Sequence, residues 1–190
     1  VRRYIREGRL WELAEIRCRS HPALLDGLRR LREYQTQMEL YDPISREGAV
    51  FYTGPESRNR PVYRRYLDRL GTRYVPATKK AALFEDTQGK PYSRPYAEQF
   101  ARARRAGYTP IVVSPWGPVP AELDELFPLA QSLFPSIPDA ETETEAERLT
   151  FQFLSMAGFE TAIEGDKIPD DGTEEDDADK IRAKAVARYQ

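Results

Sequence analysis

The chain has 190 residues, 40% hydrophobic and 32% charged, with a mean hydropathy of −0.68, and no apolar run approaches the roughly 18 residues of a membrane span. Its 11% aromatic content and several apolar segments exclude a wholly disordered chain, and one cysteine (Cys18) with one histidine (His21) excludes a disulfide scaffold or a Cys/His metal site within these residues. The net charge of −2 hides an asymmetry: residues 1–110 carry 23 Lys+Arg against 13 Asp+Glu (+10), and residues 111–190 carry 6 against 18 (−12).

Residues 2–18 place Ile5, Leu10, Leu13 and Ile16 at helical spacing beside Trp11, with Gly8 as an interruption. Arginine-rich and amphipathic, the first 16 residues lack the apolar segment of a signal peptide, so a reducing, cytoplasmic setting is expected. Ser20 before His21-Pro22 reads as an N-cap. A second helix follows, with Leu24, Leu25, Leu28, Leu31, Tyr34 and Met38 on one face, ending at Asp42-Pro43. Residues 1–41 read as the end of a preceding domain.

Residues 46–165 alternate short apolar runs with helical stretches. Strands are predicted at 49–52, 81–84 and 110–114, and helices near 61–70, 94–106, 121–126 and 143–157. That alternation predicts an α/β unit with a small, mostly parallel sheet and flanking helices. Tyr96, Phe100 and Ala103 face inward on the 94–106 helix, with Gly107 at C′; Leu149, Phe153 and Leu154 line the helix that follows Asp139 and stops at Gly158. Residues 166–178 are acidic and read as a solvated linker, and 179–190 as the start of a further domain.

Three polar loops follow the three predicted strands, and in an open parallel sheet such loops share the edge where ligands bind. They bring Thr53, Gly54, Ser57, Ser93, Ser114 and Gly117 toward one candidate crevice, with Arg60 and Lys90 beside it, a set suited to an anion. The alternative is that Gly and Pro only make the turns while Ser57 and Ser93 cap helices. No phosphate-binding or dinucleotide fingerprint is present. Glu56 and Glu122 lack any supporting feature as a catalytic pair, His21 reads as a capping residue, and Cys18 as an inert thiol. Arginines make up 20 of the 23 cations in the first half, which suits bidentate phosphate contacts. Arg58, Arg60, Arg64, Arg65, Lys90 and Arg94 with Tyr63 are the candidate RNA contacts, since bases stack on aromatic rings and arginine holds phosphates. Pairing of these arginines with Glu7, Glu12, Glu15, Glu33 and Glu39 on helix faces is the competing explanation. The acidic half fits either RNA contact confined to the first half or a high-salt cytoplasm.

Four segments carry a family likeness: REGRLWEL (6–13), HPALLDGLRRLREY (21–34), FYTGPESRNRP (51–61) and SPWGPVPAELDELFPLAQS (114–132). Together they resemble the archaeal tRNA-guanine transglycosylases. The resemblance implies exchange of guanine 15 of tRNA for 7-cyano-7-deazaguanine, a step toward archaeosine. It implies a (β/α)8 catalytic barrel with a structural zinc, then C-terminal domains ending in a tRNA-binding PUA module, in a homodimer without a membrane partner. On that likeness residues 1–41 match a helix pair closing the barrel, 46–165 the first C-terminal domain, and 179–190 the start of the next. The family's aspartate nucleophile, aspartate acid/base and zinc ligands belong upstream of Val1, so no catalytic or metal-binding residue carries over, and zinc is implied only for the parent enzyme. The paralogous archaeosine synthase has a cysteine-containing motif in its C-terminal half, whereas the matching GKPYSRP (89–95) has none. A free-standing tRNA-binding or interaction module is the alternative from another class.

Overall fold

A computed structural model describes residues 1–169 and 178–190. Its main sheet has four strands in the order β4-β3-β2-β6, formed by β2 (Lys80–Glu85), β3 (Thr109–Ser114), β4 (Gly117–Pro120) and β6 (Thr161–Glu164). β2 lies parallel to both β3 and β6, while β4 folds back antiparallel on β3, Ser114 opposite Gly117. The α/β class and the mostly parallel pairing agree with the sequence reading.

Helix α6 (Ala97–Arg105) makes the crossover from β2 to β3, and α7 (Ala140–Met156) leads to β6. Between them the core closes on Ala81, Ala82, Phe100, Ala103, Ile111, Val112 and Leu123, all fully buried. Small alanines on β2 let helices approach, and each large side chain such as Phe100 contributes roughly 1.5–3 kcal/mol by leaving water. Gly107 and Gly158 follow α6 and α7 with φ of +76° and +77°, a left-handed termination open to glycine. Asp139 caps α7, its Oδ1 accepting the Thr142 amide at 2.8 Å.

Several expectations need correcting. β1 (Val50–Phe51) is not part of the main sheet; it pairs in parallel with β5 (Ser132–Leu133). The third predicted loop holds β4, because a glycine with φ of +107° at 117 lets the chain turn back on β3. Residues 121–126 form turns rather than a helix. The acidic linker falls largely outside the described residues, but its described start packs: Ile168 is buried and its carbonyl accepts Arg102 Nη2 at 2.6 Å.

The N-terminal helices are α1 (Arg2–Arg6), α2 (Leu10–Cys18), α3 (Pro22–Arg30) and α4 (Gln35–Glu39), the last two joined by a 3-10 turn at Leu31–Tyr34. Gly8, with φ of +64°, makes the break expected between the first two. The helix-start residue is His21 rather than Ser20: its Nδ1 accepts the Ala23 amide at 3.2 Å, and Ser20 donates backward to the Arg17 carbonyl. The apolar stripe is inverted relative to expectation. Ile5, Leu10, Ile16 and Leu24 are exposed, Leu28 is the one buried hydrophobic of these helices among the described residues, and α2 turns Glu12 and Glu15 inward.

The chain then runs through a 3-10 turn (Pro55–Asn59) into α5 (Pro61–Arg73), whose Tyr63, Tyr66 and Leu70 are buried. Helix α8 (Ala178–Tyr189) lies against α5, with Ala185 and Tyr189 buried in the same core as β2 and β3.

Candidate functional site

Of the residues predicted to line one crevice, Thr53 and Ser57, with Arg60 beside them, close on the chain's own Glu15. Ser57 Oγ donates to Glu15 Oε2 at 2.7 Å, Thr53 Oγ1 donates to the same oxygen, and Arg60 donates through Nε and Nη2, both at 2.6 Å. Arg60 Nη2 also reaches the Phe51 carbonyl at 2.7 Å. The local structure of residues 53–61 makes this possible. The 3-10 turn at 55–59 folds Ser57 back to accept the Thr53 amide at 3.0 Å, and Arg60 ends the turn in extended geometry before Pro61 starts α5. Burial works against a charged Arg60, yet the Glu15 carboxylate more than offsets it and holds the guanidinium above its usual range.

One helical turn earlier, Glu12 accepts from Arg9 Nε (2.7 Å), Arg46 Nη2 and the Phe51 amide (3.0 Å). Arg46 also donates to the Gly8 carbonyl at 2.7 Å, tying the α1–α2 break to residues 46–51. Glu56 forms a third node, held by Arg19 Nη2 at 3.0 Å and Arg29 Nη2 at 2.8 Å. Gly54 is the residue that lets Arg19 approach: its φ is +144°, and a Cβ there would run into the Arg19 guanidinium. Beside this node lies an open cleft of about 740 Å³ between Arg29, Arg32, Arg58 and the first turns of α7, where Glu141 and Glu145 stand opposite the arginines. The arrangement fastens α1–α4 to the α/β unit with buried charge, and every oxygen of Glu15 is already engaged, so it offers no free base.

The remaining candidates separate. Tyr63 is buried, stacked on Trp116 with ring centroids 3.2 Å apart and hydrogen-bonded to Ser132 Oγ at 2.9 Å. Arg60 and Tyr63 therefore face the interior, and their reading as RNA contacts is corrected: one is neutralised by Glu15, the other closes a core with Val50, Tyr52, Trp116 and Phe134. Arg58 is half-buried and donates to the Pro115 and Thr142 carbonyls at 2.9 and 2.6 Å. Lys90 reaches Asp86 at 2.8 Å and lies over the Tyr92 ring at 3.9 Å. Ser114 Oγ donates to the Gly117 carbonyl within the β3–β4 turn, and the Ser93 amide donates to Asp124 Oδ2 at 2.6 Å. Thr53, Gly54 and Ser57 thus gather at the Glu15–Glu56 interface, while Ser93, Ser114 and Gly117 lie elsewhere. Arg64 and Arg94 are exposed, and Arg65 is half-exposed. Pairing of arginines with Glu12 and Glu15, the competing explanation from the sequence, is what Arg46 and Arg60 do, though buried and across the interface rather than along a helix face.

A second acidic group stands beneath α8. Glu122 is buried; burial pushes its carboxyl up, against a backbone hydrogen bond, the Tyr74 hydroxyl at 3.3 Å and the charges of Arg104 and Arg182. Asp124 receives Arg182 Nη2 at 2.9 Å. Glu56 is the opposite case: its burial is outweighed by Arg19 and Arg29, which hold it below the usual range. A lowered folded value stabilises above the unfolded carboxylate range and is lost as pH falls; a raised value destabilises at neutral pH and that cost disappears in acid. Glu56→Gln is therefore expected to lower Tm at pH 7 and Glu122→Gln to raise it, both differences shrinking toward zero below about pH 4. Thermal melts of the two variants from pH 7 to pH 3.5 check this, and equal behaviour of both would refute the assignment.

Among the described residues, no group of three His, Cys, Asp or Glu side chains lies together as a candidate metal site. No helix among them is long and apolar enough to cross a membrane.

Fold and interface together define an α/β unit clasped to a helical segment by buried ion pairs, with its surplus arginines on the outside. No family model matches the chain. Its sequence is 34% identical, over its full length, to 31% of a protein named tRNA-guanine(15) transglycosylase from Methanothermobacter thermautotrophicus. Proteins of the same name from Methanococcus maripaludis and Methanosphaera stadtmanae are each 37% identical over 77% and 75% of this chain, and 22% and 23% of their own length. The chain is a homologue of a segment of the archaeal tRNA-guanine(15) transglycosylases, as the four sequence segments indicated. It spans between about a fifth and a third of the length of these relatives.

Proposed function

We propose that the chain is part of an archaeal tRNA-guanine transglycosylase that exchanges guanine 15 of tRNA for 7-cyano-7-deazaguanine, and that its own share is scaffolding and tRNA positioning. The observation that carries this is the 34% identity across the whole chain. In the parent reaction a carboxylate displaces guanine and the incoming base attacks the covalent ribosyl intermediate. The buried Glu15, Glu12 and Glu56 are engaged by arginines and Glu122 accepts from the Tyr74 hydroxyl, which supports a structural share for these four carboxylates. The exposed stripe of Ile5, Leu10, Ile16 and Leu24 supports reading residues 1–41 as helices that pack on a catalytic barrel. Residues 46–165 would then be the first C-terminal domain, 166–178 a linker and 179–190 the start of the next domain toward a PUA module. The barrel with its zinc, the PUA module and a second subunit are its proposed companions in a cytoplasmic enzyme.

Two assays test the reading. Unmodified archaeal tRNA should bind the chain in a salt-sensitive way that survives an RNA duplex competitor of equal charge, and the chain alone should not exchange labelled guanine into tRNA. Guanine exchange by these 190 residues would show that a catalytic carboxylate lies within them. Absence of tRNA binding at low salt would leave a spacer with recognition elsewhere.

A further inference from the structure

We infer that the outer face of α5, where α8 lies against it, is a docking surface for a phosphodiester backbone, and that Arg65, Arg69 and Arg73 form its centre. The inference rests on the tRNA reading above for its natural partner. The three arginines are four residues apart, so they rise along one side of the helix at about 6 Å intervals. That spacing sets successive guanidinium groups along a line that one strand can follow.

None of the three lies within ion-pair distance of an aspartate or glutamate among the described residues. Arg65 Nη2 reaches the Glu39 carbonyl at 3.4 Å, and Arg69 lies over the Tyr189 ring at 5.9 Å. Arg73 Nη1 donates to the Gln190 carbonyl at 2.8 Å, at the carbonyl end of α8. None of these partners is a side-chain carboxylate, although the Arg65 charge acts on the nearby Asp42 carboxyl, and each guanidinium keeps donors to spare out of its five. Elsewhere in the chain the arginines Arg9, Arg19, Arg29, Arg46 and Arg60 are spent on Glu12, Glu15 and Glu56. The contrast separates arginines that hold the fold from arginines that do not.

The surroundings favour an anion over a protein. Arg64, Lys184 and Arg188 are exposed nearby on the same two helices, against Asp68 on α5 and Glu39 and Asp42 just before it. Among the described residues, neither helix presents an exposed large hydrophobic side chain, the anchor a protein interface needs. Arginine forks bind phosphate oxygens in pairs, and the phosphates they neutralise release counterions.

The test uses the whole chain with two probes, an unmodified tRNA transcript and a short RNA duplex, each titrated across a salt series. Arg65→Gln/Arg69→Gln/Arg73→Gln is expected to weaken tRNA binding more than tenfold at low salt and to cut the log–log salt slope by about 2–3, since each phosphate contact contributes about 0.7–0.9. The matching triple lysine variant should keep the slope, because charge survives while the guanidinium contacts to Glu39 and Tyr189 do not. An Arg2→Gln/Arg105→Gln control, at two exposed arginines outside this face, should leave it close to wild type. Wild-type tRNA binding that the triple glutamine variant preserves, with an unchanged slope, overturns the proposal and leaves the tRNA reading intact. The proposal also falls if the control loses as much per charge, if the lysine variant fails like the glutamine one, or if neither RNA binds. Duplex binding that the triple variant abolishes, with no tRNA preference in the wild type, keeps the surface and overturns the tRNA reading. Retention of a protein partner by the same face, insensitive to salt, would likewise overturn it.

Discussion

Arg60→Ala is expected to cost the fold about 3–5 kcal/mol, because it leaves Glu15 buried and charged without its principal partner. Arg60 and Glu15 side chains are 3% and 1% exposed, and they meet through two hydrogen bonds of 2.6 Å in side-by-side geometry. Removing the cation does not let water in, since Thr53, Ser57 and Phe51 close the remaining sides. Glu15→Gln is expected to be damaging for the mirror-image reason, a buried guanidinium without a counter-charge. Replacing both together, Glu15→Leu with Arg60→Met, should recover most of the loss, because two desolvation costs disappear with the pair. Urea denaturation of the three variants at pH 7 measures this. A loss below about 1 kcal/mol for Arg60→Ala would mean that the site behaves as a solvated surface pair.

That arginine also shows where the sequence stops being informative. The βαβ alternation was legible because each strand and helix carries its own period: Ala81–Phe84, Phe100 with Ala103, and Ile111 with Val112 all lie where their spacing put them. The loop that contains Thr53 and Ser57 reads as a set of donors suited to an anion, and in the fold those donors meet the internal carboxylate of Glu15. Composition records that a cluster of donors exists and says nothing about which acceptor the tertiary fold delivers. In α2 the failure has a definite cause. A helix that carries both an apolar stripe and a charged stripe buries whichever has a partner across the interface, and here Arg46 and Arg60 face Glu12 and Glu15 while Leu10 and Ile16 point outward. The β4 strand was hidden by three prolines around Gly117, residues that normally argue against a strand; at a sheet edge they cost little because few amides are needed. The exposed arginines of α5 were legible as a basic face, but only the structure separates Arg65 from Arg60.

The second large effect is expected at Trp116, in the turn between β3 and β4. Its side chain is buried, stacked on Tyr63 of α5, edge-on to Tyr52 at 4.8 Å and to Phe134 at 5.6 Å. This ring joins the β1–β5 pair to the main sheet, and β1 in turn donates the Phe51 amide to Glu12. Trp116→Ala should therefore cost about 3–5 kcal/mol from lost burial and the cavity left behind. Trp116→Phe should behave very differently. The indole Nε1 has no hydrogen-bond partner among the described residues, so phenylalanine removes a buried donor whose desolvation costs about 1–3 kcal/mol while keeping most of the aromatic contact. Those two terms oppose each other, and the net change for Trp116→Phe is expected to stay within about 1.5 kcal/mol of wild type. Denaturant melts of both variants give the comparison. A Phe variant as unstable as the Ala variant would show that the indole's full width, rather than its stacking on Tyr63, holds the two sheets together. If instead the Ala variant melts like wild type, the aromatic cluster is not what couples β1 and its Glu12 contact to the rest of the fold.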